Sequence, residues 1–184
     1  MIYKEQNVLL KNGIHATFRT PELDDAETML DYVIKACGET DFLLRYADEW
    51  DKTPKSIEGE RRWINELRNS RHTLSIACFV DGVAVGHCQL NFESNEKARH
   101  RASIQIAIHK AYWGLGIGSY MFREMIRSAR SSGVKILELE FIEGNDRARL
   151  LYEKFGFTVV AVKPNMFRLR DGSMKKEYYM QKYL

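Results

Sequence analysis

Tyr112-Trp113-Gly114-Leu115-Gly116-Ile117-Gly118-Ser119 sets a glycine at every second position from Gly114 to Gly118, directly before an amphipathic helical pattern. Without Cβ atoms the backbone of such a loop lets a ligand come close to its amides. A helix that begins here adds unpaired first-turn N–H groups and the positive end of its dipole, an arrangement suited to an anion such as phosphate. A tight strand-to-helix turn uses glycines in the same way, so the surrounding chain has to decide between the two.

Downstream, Gly116 to Ser131 puts Ile117, Met121, Phe122, Met125, Ile126 and Ala129 on one face of a helix and Arg123, Arg127 and Arg130 on the other, and Gly133 stops it. Ile136–Phe141 follows as a strand. Upstream, Ala102–Ile108 alternates, with Ile104, Ile106 and Ile108 on one face and Ser103, Gln105 and Ala107 on the other. A helical crossover joins these two strands, which makes them parallel. Before them, Leu74–Val80 and Val83–Phe92 form a hairpin about Asp81-Gly82, a type I′ turn, and polar Glu93–Arg101 turns the chain again.

Nearer the start, Ile14–Arg19 reads as a first strand. Asp24–Ala36 follows as a helix with Ala26, Met29, Leu30 and Val33 at helical spacing, and a second helix from about Ser56 to Asn69 has Ile57, Trp63, Ile64 and Leu67 as inner residues. Between them lies an acidic and aromatic segment without a clean period, containing Glu39, Asp41, Phe42, Tyr46, Asp48, Glu49, Trp50 and Asp51. After Gly156, Thr158–Val162 and Phe167–Arg170 read as an irregular strand, Asp171-Gly172 as a hairpin turn and Lys175–Leu184 as the last strand.

With 184 residues, the expectation is a single domain spanning 1–184, with a core at about 74–157 and a C-terminal hairpin at 158–184. The composition, 45% hydrophobic and 29% charged, is that of an ordinary globular protein. No apolar run approaches the roughly 18 residues of a membrane span, and Met1–Leu10 lacks the apolar region of a signal peptide, so a cytoplasmic protein without membrane contact is expected. A net charge of +3 and the lack of a basic helix with interleaved aromatics argue against nucleic acid. Cys37, Cys78 and Cys88 are odd in number and unpaired in spacing, which indicates buried thiols rather than a disulfide framework. The five histidines lack metal-ligand spacing, and no metal is expected.

Counting tests the glycine loop against known phosphate loops. A Walker loop needs a lysine after its last glycine, and none follows here. The Rossmann fingerprint would start at Gly114 and needs glycine where Ser119 stands, although Glu138 and Glu140 lie at a tolerable distance for a ribose contact. The hairpin after Tyr152 also stands where a Rossmann domain continues with βα units. The pattern that fits is Arg/Gln-x-x-Gly-x-Gly/Ala, read from Trp113 to Gly118, which resembles the acyl-coenzyme A pyrophosphate loop of the GNAT N-acetyltransferases. Trp113 occupies the position of the usual Arg or Gln.

A second stretch bears on the same comparison. In Asn145-Asp146-Arg147-Ala148-Arg149-Leu150-Leu151-Tyr152-Glu153-Lys154-Phe155-Gly156-Phe157, a capping amide, a small residue and a phenol share one helix face at Asn145, Ala148 and Tyr152. By itself this is equally an N-cap, a core tyrosine and a glycine stop. Its order closely resembles the second cofactor motif of the same acetyltransferases, and it falls in register after a helix and a strand. The resemblance is strong from about Leu74 to the end and weak over Ile14–Asn69.

The resemblance implies an α+β GNAT fold: a mixed, mostly antiparallel sheet of about seven strands with a central parallel pair that splays apart, flanked by about four helices. It implies acetyl-coenzyme A as co-substrate, with Trp113, Gly114, Gly116, Ile117, Gly118 and Ser119 at the pyrophosphate, Ile106, Ala107 and Ile108 along the pantetheine arm, Asn145 facing that arm and Tyr152 near the sulfur. The implied reaction is acetyl transfer by direct attack of a primary amine, from a small molecule or a peptide N-terminus, with Tyr152 as general acid. Glu140 is the candidate base, beside Glu138, His87, Gln89 and Asn91, and the acidic segment is a candidate wall for a cationic acceptor. A coenzyme A-binding module without turnover and a nicotinamide-dinucleotide protein are the other readings, and either a monomer or a homodimer is compatible.

Overall fold

The computed structural model describes residues 1–52 and 56–184, with backbone alone at residues 51 and 52. In chain order, β1 (Gln6–Leu9) and β2 (His15–Arg19) precede α1 (Ala26–Gly38), the single turn α2 (Glu49–Lys52) and α3 (Ile57–Asn69). Then β3 (Thr73–Val80), β4 (Val83–Phe92) and β5 (Arg101–Ile108) lead into α4 (Ile117–Ser131), β6 (Ile136–Ile142), α5 (Asp146–Lys154), β7 (Thr158–Arg168) and β8 (Met174–Tyr183). The strands form one sheet in the order β1-β2-β3-β4-β5-β6-β8-β7. All neighbours are antiparallel except β5 and β6, which are parallel as the crossover through α4 requires.

Both faces of the sheet are covered, and the central strand β3 shows why. Leu74, Ile76, Cys78 and Val80 pack with Met121, Phe122 and Met125 of α4, whereas Ala77 and Phe79 point the other way, towards Met29 and Tyr32 of α1 and Ile64 of α3. On the first face, Phe122 gathers an aromatic cluster, its ring 5.5 Å from Tyr152, 5.2 Å from Phe155 and 5.9 Å from Phe157. That cluster seats α5 against α4 and so fixes the height of Tyr152 in the fold. At the β3–β4 hairpin, Asp81 and Gly82 have φ of 49° and 79°, the two positive values of a type I′ turn.

Several details depart from the sequence reading. β1 is an additional edge strand, paired from Gln6↔Phe18 to Leu9↔His15. β7 is the irregular strand expected there, but it runs unbroken from Thr158 to Arg168 across the stretch 163–166, with irregularities between Val159 and Ala161 and between Lys163 and Phe167. Ile57 lies on the expected stripe of α3 but at its first position, where it is 41% exposed, and Glu60 is the buried residue of that turn. The expected contribution of the Asp51 side chain lies outside the described residues. No helix among the described residues is long and apolar enough to cross a membrane.

Phe122 is fully buried at the centre of the aromatic cluster. Its replacement in Phe122→Ala is expected to lower unfolding free energy by about 3–5 kcal/mol, measured by urea titration, because the cavity left behind also removes the seat of α5. A loss below about 1 kcal/mol would contradict this account of how α5 is held.

Candidate active site

Parallel strands β5 and β6 pair at Arg101↔Ile136, Ala102↔Leu137 and Ser103↔Glu138, and no further. Beyond that point each is held only by its other neighbour, β5 by β4 as far as Ile108 and β6 by β8 as far as Ile142. A cavity of about 1130 Å³ opens where they part, lined by Ile104–Ile108 on one side, 138–142 on the other, and by the glycine loop and α5. This exceeds the roughly 300–1,000 Å³ of ordinary small-ligand sites.

Side chains from distant parts of the chain fix the open end of β5. The Tyr32 hydroxyl donates to the Ala107 carbonyl at 2.8 Å, and the Trp113 indole N–H donates to the Ile108 carbonyl at 2.7 Å. Glu39, next after α1, accepts the Lys110 amide at 2.7 Å and lies 3.2 Å from His109 Nδ1. Burial opposes the charge on Glu39, but the Lys110 amide and His109 outweigh it and hold the carboxyl below its ordinary range. Tyr32 and Glu39 escape sequence reasoning because each acts about 70 residues away from its partner, and helical spacing marks Tyr32 only as one more aromatic.

The glycine loop divides its tasks. Gly114 and Gly116 have φ of 81° and 99°, a left-handed backbone that favours glycine, and Gly116 is the N-cap of α4. The amides of Ile117, Gly118 and Ser119 therefore begin a helix without intrahelical partners. Gly118 has a packing reason as well: a Cβ there would stand 3.0 Å from Leu151 Cδ2 and 3.3 Å from Ile108 Cδ1. Among the described residues three cations line the cavity around this loop, Lys11, Arg147 and Lys154, with Lys154 Nζ 3.4 Å from the Ser119 hydroxyl.

Tyr152 is 6% exposed, ringed by Phe122, Phe141 and Phe157, and lines the cavity. Burial pushes its phenol up to about 12, further above the neutral range than an ordinary tyrosine. Asn145 does what a cap residue does, its side chain accepting the Ala148 amide at 3.2 Å, and it also lines the cavity. The candidate bases are unequally placed. Glu140 lines the cavity with Oε1 bound to Lys163 at 2.8 Å, and the same ammonium holds Glu177 at 2.8 Å. Glu138 is buried and bonded to Gln181 at 2.9 Å and Arg101 at 3.3 Å. His87 and Gln89 line the cavity, His87 with its Nε2 sharing a hydrogen bond with Ser75 at 2.8 Å, while Asn91 accepts from Thr73 at 3.1 Å.

Of the acidic segment, Glu39 and Phe42 reach the cavity wall. Asp48 instead binds Arg170 at the tip of the β7–β8 hairpin, where that guanidinium lies 4.0 Å over the Tyr46 ring, and Glu49 accepts the Tyr46 amide at 3.0 Å. Asp41 faces solvent and Trp50 is buried. Among the described residues, no three His, Cys, Asp or Glu side chains gather in a way that could hold a metal ion. The thiols of Cys37, Cys78 and Cys88 are free and buried, and burial pushes that of Cys78 up to about 12.

Residues 40–157 match the model of the acetyltransferase (GNAT) family. The L-amino acid N-acetyltransferase AaaT of Escherichia coli is 25% identical over 122 residues, covering 66% of this chain and 75% of that protein. A GNAT-family acetyltransferase from Streptococcus pneumoniae superposes with a TM-score of 0.82 at 25% identity, covering 92% of this chain and 99% of its own. The putative acetyltransferase yncA from Salmonella typhimurium, solved with its cofactor acetyl-CoA, superposes with a TM-score of 0.74 at 19% identity, covering 92% and 94% of the two chains.

Gly118 offers a direct check on the packing of the loop. Gly118→Val forces branched methyls between Leu151 and Ile108, and the expected loss is about 1–3 kcal/mol in urea unfolding. Unchanged stability would mean that α4 and α5 do not approach as closely as the structure has them.

Proposed function

The chain belongs to the GNAT acetyltransferase family, and from that premise we propose that it transfers the acetyl group of acetyl-coenzyme A to a primary amine by direct attack, with residues 1–184 acting as one catalytic domain around a cofactor core at about 74–157. As a member it is an acyl-coenzyme A-dependent N-acyltransferase. The observation that carries the reading is the parting of β5 and β6 after Ser103 and Glu138, directly over a glycine loop that starts a helix. A pyrophosphate on the amides of Ile117, Gly118 and Ser119 directs the pantetheine arm along the unpaired edge of β5, past Ile106, Ala107 and Ile108. Asn145 flanks the arm and the thioester sulfur comes to Tyr152.

The chemistry asks three things of the chain. The amine must lose a proton, the carbonyl oxygen must be stabilised as it takes charge, and the leaving sulfur must be protonated. As the C–N bond forms, an amide at the open end of β5 donates to the developing oxyanion. As the C–S bond breaks, Tyr152, a phenol that carries its proton at neutral pH, gives that proton to the thiolate. Glu140 is the proposed base: Lys163 occupies Oε1, and Oε2 remains to take the amine proton through a water.

The lining charges suggest the acceptor class. The three described lining cations stand around the glycine loop, whereas Glu60, Glu138, Glu140 and Glu177 line the cavity away from it. An ammonium is favoured there, and the carboxylate of a free amino acid meets at that end no lining cation among the described residues, Lys163 and Arg101 being already engaged by Glu140, Glu177 and Glu138. Polyamines and peptides with a free N-terminus should therefore release thiol from acetyl-coenzyme A faster than neutral amino acids do. An amino acid as the best acceptor in such a screen would contradict this reading of the acidic lining.

With an acceptor in hand, Tyr152→Phe separates catalysis from packing, since it keeps the ring. A general acid contributes about 10²–10⁴-fold, and a contact made mainly in the transition state lowers kcat rather than raising KM. The expected result is a kcat loss in that range with acetyl-coenzyme A affinity nearly kept. Unchanged turnover would return Tyr152 to the core, and a large loss of affinity would make it a binding residue.

A further inference from the structure

The glycine loop from Trp113 to Ser119 contains no basic residue, and the position at which the resembling motif carries Arg or Gln is Trp113. The structure brings a cation to it from another element. Arg147, in the first turn of α5, lies with its Cζ 5.0 Å from the Trp113 ring centroid, and its Nη2 is 3.6 Å from where a Cβ on Gly114 would stand. The indole itself is pinned by its N–H to the Ile108 carbonyl at 2.7 Å, so the platform under the guanidinium is fixed. Two residues on, Arg149 is neutralised by Glu153 at 2.8 Å, whereas among the described residues no carboxylate pairs with Arg147. An exposed arginine normally spends its time in many rotamers; stacking on an indole restrains it and leaves its planar fork of donors for a ligand.

We propose that Arg147 is the side-chain clamp on the coenzyme A pyrophosphate, supplied by α5 and held on Trp113, in place of a cation in the loop itself. The inference rests on the reading of the glycine loop as the pyrophosphate site and adds a residue to it. Arginine suits the task because its N–H fork can meet two phosphate oxygens at once. Lys154 is already turned to Ser119. Trp113 then has two functions: its N–H closes the end of β5 and its face aims the guanidinium at Gly114.

Calorimetric titration of acetyl-coenzyme A and of 3′-dephospho-coenzyme A into five proteins tests this: wild type, Arg147→Ala, Arg147→Lys, Gly116→Asp, and Trp113→Arg combined with Arg147→Ala. Arg147→Ala should weaken both ligands by about 10–100-fold, the range expected for charge-assisted hydrogen bonds. Arg147→Lys should fall between, since it keeps a point charge and loses the fork, and the double variant should recover at least part of the loss by moving the cation into the loop. Arg147→Ala within twofold of wild type, beside a Gly116→Asp protein that no longer binds, would overturn the clamp and leave the loop assignment standing. Loss of binding in neither would overturn the loop assignment itself. A penalty confined to acetyl-coenzyme A and absent with the dephospho ligand would move Arg147 to the 3′-phosphate and refute the pyrophosphate assignment.

Discussion

Two parallel strands that stop pairing halfway are the constraint from which the site follows. After Ser103 and Glu138 the backbone edges of β5 and β6 face a cavity instead of each other, and buried backbone groups left without partners are costly. The rest of the fold makes that state tolerable. β4 ladders β5 through Ile108, β8 ladders β6 through Ile142, and Tyr32 and Trp113 take the carbonyls of Ala107 and Ile108. What remains is a strand edge that an amide-bearing ligand can complete, as a further strand would.

The same parting sorts charge along the cavity. At the end where α4 begins the lining holds helix amides and, among the described residues, the cations Lys11, Arg147 and Lys154, a setting that favours anionic groups, and towards β6 and β8 the lining turns carboxylate. A long co-substrate with phosphates at one end and a reactive thioester at the other fits that gradient. Tyr152 stands in the apolar stretch, among Phe122, Phe141 and Phe157, where burial raises its phenol pKa further above the neutral range. Lys163 ties Glu140 to Glu177 across β6, β7 and β8, so the C-terminal hairpin takes part in shaping the carboxylate-lined part of the cavity.

Local physics made much of this legible in the sequence. The type I′ hairpin at Asp81-Gly82, the alternation in Ala102–Ile108, the glycine loop and the Asn145 cap all depend on residues a few positions apart, and each lies where its pattern put it. β1 was hidden because its burial is slight: of Gln6–Leu9 only Val8 is even half-buried, so no period-2 signal exists to read. β7 was legible as an irregular strand at its two ends, and Asn165, at φ of 55° just after Pro164, marks where the alternation of this edge strand breaks. Tyr32, Glu39 and Arg147 act through tertiary contacts that no spacing encodes. Their residue types were visible, but their partners were not.

The most direct test is a crystal structure of the protein with coenzyme A. The account predicts pyrophosphate oxygens roughly 3 Å from the amides at the start of α4, the pantetheine arm alongside Ile106–Ile108 between the parted strands, and the sulfur within hydrogen-bond reach of the Tyr152 hydroxyl. Coenzyme A bound elsewhere, or β5 and β6 paired through to Ile108 with the arm excluded, would contradict it.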